Sequence, residues 1–185
     1  MKCFKKLVLL MFLASSVSFS QEVEIRVKSH DGSSIPGAEA AIVQPSGIFL
    51  KGKSNGESIT FEPFSGRVSL LLAAPGFRGE SISFTSPGRS EFTLKSSVNR
   101  NSFIVYERGD IPGKNGDISP IHDKYNRLYM YYSGKISLLQ GSKPADNPFT
   151  FRMKSPIKAI DGTGKKFKIY VVDIKNGVSV VEYTK

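Results

Sequence analysis

From Val23 onward, apolar and polar residues alternate. Val23, Ile25 and Val27 are interleaved with Glu24, Arg26 and Lys28, the pattern of a strand with one buried face. Residues 40–43 form a second, short apolar run. Residues 47–54 and 57–64 flank Asn55-Gly56, a pair that accepts positive φ at both centres of a type I′ turn and so predicts a hairpin. Such a turn sets Leu50 opposite Phe61. Residues 67–74 are the most apolar stretch and are expected at the centre of a sheet, and 81–84 and 91–94 complete the set. Turn residues fall between these runs at Asp31-Gly32, Pro36-Gly37, Ser65-Gly66 and Pro75-Gly76. Short strands at this spacing predict a seven-strand sandwich.

The pattern changes after Leu94. Residues 97–102 are polar and read as a linker between a module at 21–96 and a second one at 103–185. Residues 103–106 predict a strand. Residues 109–124 are rich in Gly, Pro and Asp and read as a long loop, the kind that is often functional. Strands are expected at 128–132, 135–139, 149–153 and 157–160, with a turn at Asp161-Gly162-Thr163-Gly164. Asn176-Gly177 between 167–175 and 178–183 is a second type I′ signal. It sets Val172 opposite Val181 and Tyr170 opposite Tyr183, a face that with Ile174 is assigned to the core. Val171, Asp173, Val180 and Glu182 fall on the other, more polar face. No stretch of 21–185 sustains a helical apolar period. The expected fold is all-β: the seven-strand sandwich, then a second small antiparallel β domain.

The first module resembles the carboxypeptidase regulatory-like family over about residues 22–96. The similarity lies in the opening strand with Asp31-Gly32, Ile35-Pro36-Gly37-Ala38 ahead of a strand, and Asn55-Gly56 in a hairpin. It closes with Gly66, an apolar strand and Ala74-Pro75-Gly76-Phe77. Where that family often has Thr-Asp before the turn and an aromatic two positions after its Gly, this chain has Lys53-Ser54 and Ser58. The resemblance implies a prealbumin-like sandwich that serves as a structural or binding accessory in exported proteins, and it carries over no catalytic residue. No family is recognised for 99–185.

Lys2, Lys5 and Lys6 precede an apolar run at 7–19, with Ser18 and Ser20 in the −3 and −1 places. This predicts a secretory signal at 1–20 cleaved before Gln21, the alternative being cleavage after Ser16. The run is shorter than the roughly 20 residues that span a bilayer, so no transmembrane segment is expected after cleavage. The lone cysteine, Cys3, lies ahead of that run, not after it as a lipidated cysteine would. Residues 21–185 therefore contain no cysteine, which excludes thiol catalysis, cysteine-based zinc sites and disulfides there. The expected location is outside the cytoplasm, periplasmic or extracellular.

Charge separates the halves. Residues 21–98 hold 8 Lys/Arg and 8 Asp/Glu, whereas 99–185 hold 15 and 8. Lys154, Lys158, Lys165, Lys166 and Lys168 crowd one short stretch, with Lys185 at the end of the hairpin. Such a cluster attracts an anionic polymer or surface, and the alternative role is to guard a strand edge against aggregation. Tyr129 and Tyr131 share one strand face and are candidates for stacking on a sugar or anchoring a protein partner.

Two His-Asp pairs, His30-Asp31 and His122-Asp123, fall short of the three ligands and open position that zinc catalysis needs. Asn115, Asp117 and Ser119 begin like a calcium loop, but Pro120 stands where the EF-hand requires Gly, and Asn126 where it requires Glu. The nucleophile elbow, the P-loop and the dinucleotide fingerprint are absent.

The sequence thus points to an exported, non-enzymatic binding or adaptor protein of the cell envelope without metal or cofactor. Its partner would be an anionic envelope polymer or another envelope protein, nucleic acid being the weaker ligand class outside the cytoplasm. One alternative is a structural subunit of an appendage or envelope complex that assembles by strand addition. Another is an enzyme inhibitor or uncharacterised enzyme acting through the 109–124 loop.

Overall fold

A computed structural model describes residues 22–85 and 88–184. The expected signal at 1–20, Cys3 and Lys185 lie outside the described residues. All the regular structure described is β. In the first half the strands are β1 (Val23–Lys28), β2 (Glu39–Val43), β3 (Phe49–Lys51), β4 (Lys53–Ser54), β5 (Ile59–Phe61), β6 (Arg67–Ala73), β7 (Glu80–Thr85) and β8 (Arg89–Thr93). They form two sheets, ordered β4-β5-β1-β8 and β3-β2-β6-β7. Pairing is antiparallel except between β1 and β8. Val23, Ile25, Val27, Ile59 and Phe61 from one sheet meet Ala40, Ile42, Val68, Leu70 and Leu72 from the other in one buried core.

The Asn55-Gly56 hairpin differs from expectation. Leu50 pairs with Ile42, not Phe61, because the chain leaves one sheet for the other at Gly52. A Cβ at Gly52 would lie 2.2 Å from Ile59 Cγ2 and 3.1 Å from the Ala40 carbonyl oxygen, so only glycine passes there. The turn beyond is wider than type I′. Only Gly56 of the pair has positive φ, and the Asn55 side-chain oxygen accepts hydrogen bonds from the Glu57 and Ser58 amides.

The second half contributes β9 (Arg100–Tyr106), β10 (Gly109–Asp110), β11 (Gly116–His122), β12 (Leu128–Gly134), β13 (Ser137–Gln140), β14 (Lys143–Pro144), β15 (Phe149–Thr150), β16 (Ile157–Ile160), β17 (Lys166–Lys175) and β18 (Val178–Thr184). A six-stranded sheet runs β14-β13-β16-β17-β18-β9, and a four-stranded sheet runs β10-β11-β12-β15. Val105, Phe167, Ile169, Val171, Val181 and Tyr183 from the first pack on Ile118 and Met130 from the second.

Three expectations are corrected here. The supposed loop at 109–124 is mostly strand, since β11 pairs along its length with β12. Its Pro120 lies beyond the two-residue pairing with β10, on an edge where a missing amide leaves no ladder bond unmade. The strand expected over 149–153 ends at Thr150, and 153–155 turn away.

The C-terminal hairpin does close at a type I′ turn, with φ of 46° at Asn176 and 81° at Gly177. A bulge between Val171 and Asp173 then shifts the register by one. Val171 faces Val181 and Ile169 faces Tyr183, so Val171 enters the core and Tyr170 turns outward.

The two halves share a third buried layer. Ala41, Val43, Leu71 and Ala73, on the outer face of the β2–β6 sheet, pack on Ile104, Val178 and Val180 of the six-stranded sheet. The expected linker is no free tether. Ser97 N–H donates to the Gly76 carbonyl at 2.8 Å, and the Ser102 hydroxyl accepts from Ala74 N–H at 2.9 Å and donates to its carbonyl at 3.1 Å. Arg100 to Ser102 already belong to β9.

Within the second half, buried Lys114 in the β10–β11 turn pairs with Asp161 at 3.2 Å. The Thr163 hydroxyl first, then Lys114 and the Lys165 and Thr163 amides, hold the Asp161 carboxyl well below its usual range, against the opposing effect of burial. A depressed carboxyl contributes stability in full above its unfolded value, near 3.8, and that contribution is lost as pH falls below it. Asp161→Asn is therefore expected to lower the melting temperature at neutral pH, with the deficit shrinking as pH drops from 5 toward 2 (about that range,). Thermal melts across this range check it; a deficit that stays constant with pH would contradict it.

Candidate functional site

The alternation of β16 and β17 places the lysines. Ile157, Ala159, Phe167 and Ile169 point into the core, so Lys158, Lys166 and Lys168 point out on the opposite face of the six-stranded sheet. Register brings Lys158 directly across from Lys168 and Ile160 across from Lys166. Like charges directly opposite one another destabilise a sheet. Among the described residues, none of these three lysines forms an ion pair.

Both strands lie inside the sheet, away from its edges. Guarding an edge therefore does not account for these charges. The edges themselves are blunted in other ways: β4, β10, β14 and β15 are two residues long, and β14 is Lys143-Pro144. The outer side of β9 is engaged, where Ile104 N–H donates to Glu39 at 2.9 Å. Among the described strands, β7, β8 and the part of β11 beyond β10 remain as longer open edges.

The lysine-bearing face is the floor of a cleft of about 930 Å³. The β9–β18 side of the sheet is covered by the first half. The opposite wall comes from Arg78 and residues 97–100, and Gly141 and Ser142 close one end. Arg78 is tied to this wall by its amide, which donates to the Lys95 carbonyl at 2.9 Å. Among the described residues, five cations line the cleft (Arg78, Arg100, Lys158, Lys166 and Lys168) and no carboxylate side chain does. Leu139, Ile160 and Tyr170 supply its apolar surface.

Arg100 and Tyr170 divide this cleft from a second one of about 400 Å³ that holds Lys95 and Lys154. The Arg100 guanidinium lies 3.9 Å from the Tyr170 ring centre, a cation–π contact that fixes its plane. It also donates to Glu182 at 2.7 Å. Glu182 is buried and accepts Gly79 N–H at 3.1 Å with its other oxygen.

Of the expected site residues, Lys158, Lys166 and Lys168 thus come together, and Lys154 joins through the adjoining cleft. Lys165 sits in the Asp161–Lys165 turn and lines neither. Tyr129 and Tyr131 do not join them. They project from β12 on the outer side of the four-stranded sheet, across the core from the lysines, while Met130 between them is buried. The expectation of one combined lysine–tyrosine surface is corrected accordingly. Arg78, Arg100 and Tyr170 were missed. The two arginines are remote in sequence from the lysine cluster, and the bulge at Val172 hid the direction of Tyr170.

The remaining candidates take local roles. Asp31 accepts from Ser29 and Ser33, and these hydrogen bonds pull its carboxyl down to about 2. Asp123 accepts from the Tyr125 and Arg127 amides at 2.8 Å. Asp117 and Ser119 stand on β11, in a strand that cannot wrap a cation as a loop does, and Arg108 pairs with Asp117. Among the described residues, no three His, Cys, Asp or Glu side chains group as metal ligands. No described helix is long and apolar enough to cross a membrane.

No family model matches the chain, and no curated protein does. Among solved structures, it is similar to a DUF3823 family protein from Bacteroides ovatus ATCC 8483, with a TM-score of 0.30 and 11% identity. That match covers 79% of this chain and 94% of the other. A likeness of this size assigns neither family nor function.

Proposed function

We propose that this is an exported, non-enzymatic binding or adaptor protein of the cell envelope, whose cleft between the two halves holds an anionic partner. One observation carries the reading: among the described residues, five basic side chains and no carboxylate side chain line the larger cleft, and two of them, Lys158 and Lys168, face each other across adjacent strands. An anion seated between them would relieve that repulsion. The first half, read as a carboxypeptidase regulatory-like, prealbumin-like sandwich, serves as the docking module and supplies Arg78 to the cleft wall. To a partner the lining offers cations, the hydroxyls of Ser97, Ser142, Thr184 and Tyr170, and apolar side chains, groups that hold and orient an anion.

The test is binding of the purified protein to a soluble acidic polysaccharide at low and high salt. Each lysine near a polyanion contributes about 1 kcal/mol at low salt. Lys158→Ala with Lys168→Ala is therefore expected to weaken binding roughly thirtyfold, and raised salt to weaken the parent further than the variant. Absence of binding by the parent at low salt, or equal binding by parent and variant, would refute the proposal.

A further inference from the structure

Resting on that reading, we infer that the two clefts are one continuous track for a single extended acidic glycan chain. They share Arg78, Arg100 and Tyr170. A chain lying on Lys158 and Lys168 and continuing past the Arg100–Tyr170 stack reaches Lys95 and Lys154 in the second cleft, where Glu182 is already paired with Arg100 and Glu80 leaves the cations in excess.

Sheet register sets the layout at the larger end. Lys168 N–H donates to the Thr184 hydroxyl, and Thr184 is paired with Arg100 on β9. Lys158, Lys168, Thr184 and Arg100 therefore form a row across four adjacent strands, spaced by the inter-strand distance of roughly 5 Å. Three cations and a hydroxyl spread over four strands suit an extended anionic chain better than a lone small anion. Arg78 and residues 97–99 line the site from outside the sheet, which makes it a cleft and not the flat surface that a lipid bilayer would need.

The apolar steps decide the polymer's class. Leu139 stands beside Lys158 on the neighbouring strand, Ile160 stands opposite Lys166, and Tyr170 follows Lys168 on the same face. They match the CH faces of sugar rings, which pack on aromatic and aliphatic side chains while their acidic groups meet lysine and arginine. A bare phosphate chain has nothing to place against them.

The experiment measures affinity of the full chain for galacturonate oligomers of increasing length, with inorganic polyphosphate and neutral malto-oligosaccharides alongside. Affinity is expected to rise roughly tenfold or more from the dimer to oligomers that fill both clefts, then to level off. Lys95→Ala with Lys154→Ala should remove most of that gain, bringing the affinity of long oligomers down toward that of the dimer. Lys158→Ala with Lys168→Ala should weaken every length. Length-independent affinity, or no effect of Lys95→Ala with Lys154→Ala on long oligomers, overturns the track while leaving an anionic site at the larger cleft. Polyphosphate binding as tightly as long galacturonate overturns the glycan assignment. Failure of every polyanion to bind at low salt overturns both the track and the reading beneath it.

Discussion

Glu182→Ala is expected to destabilise the protein by about 2–4 kcal/mol, the cost of losing a charged hydrogen bond to the partly exposed Arg100 and leaving a buried amide unpaired. Glu182 is only 4% exposed. Its two oxygens serve both halves of the chain: one accepts Gly79 N–H, the other accepts the Arg100 guanidinium. Truncation leaves the Gly79 amide without an acceptor at a crowded point. A Cβ on Gly79 would come within 2.2 Å of Val180, so the backbone there sits directly against the six-stranded sheet.

Glu182→Gln separates the two roles. It keeps an oxygen for Gly79 and loses the charge opposite Arg100, so its cost should be smaller, on the order of 1–2 kcal/mol. It also raises the net positive charge behind the cleft by one. Provided the variant remains folded, its affinity for a polyanion should equal or exceed that of the parent. Denaturant unfolding of the two variants, with circular dichroism to confirm the fold, checks the first expectation. Equal costs for alanine and glutamine would show that the charge pair, not the Gly79 hydrogen bond, dominates.

The sequence is legible where one residue's environment follows from its nearest neighbours. Val23, Ile25 and Val27 alternate and are buried, and the Asn176-Gly177 turn forms as its chemistry predicts. Legibility ends where a single residue changes phase. The bulge at Val172 lies within Tyr170-Val171-Val172, three residues that fit either face, so no break in the pattern marks it. Gly52 hides a change of sheet next to a pair, Asn55-Gly56, that mimics a tight hairpin. At 109–124, Gly, Pro and Asp give the composition of a loop, yet Gly116, Ile118 and Pro120 alternate inward along β11.

The candidate site is legible in part for the same reason. A lysine cluster is visible as a run, and β16 and β17 carry it on one face. Arg100 reaches that face through the sheet order, two strands from β17, and Arg78 reaches it because the two halves are packed together. The signal for that packing was present: Leu70, Leu71, Leu72, Ala73 and Ala74 run without alternation. A run of that kind describes a strand buried on both faces, and so a second layer beyond the first core.

Leu71→Ala tests that layer. Leu71 is fully buried and faces the second half alongside Ala41, Val43 and Ala73. Loss of its side chain should cost about 2–5 kcal/mol, whereas Ile48→Ala, at a residue 58% exposed, should stay within about 0.5 kcal/mol. The shared layer also ties unfolding of one half to the other. Calorimetry of the parent should show one transition, with calorimetric and van't Hoff enthalpies in agreement, and Leu71→Ala should lower its midpoint. Two well-separated transitions in the parent, with only one moved by the substitution, would mean that the halves unfold independently. Because Arg78 and the three cleft lysines lie on opposite sides of this layer, loosening it should also weaken polyanion binding, although Leu71 does not line the cleft. Unchanged affinity in a destabilised but folded Leu71→Ala protein would place the binding determinants in the second half alone.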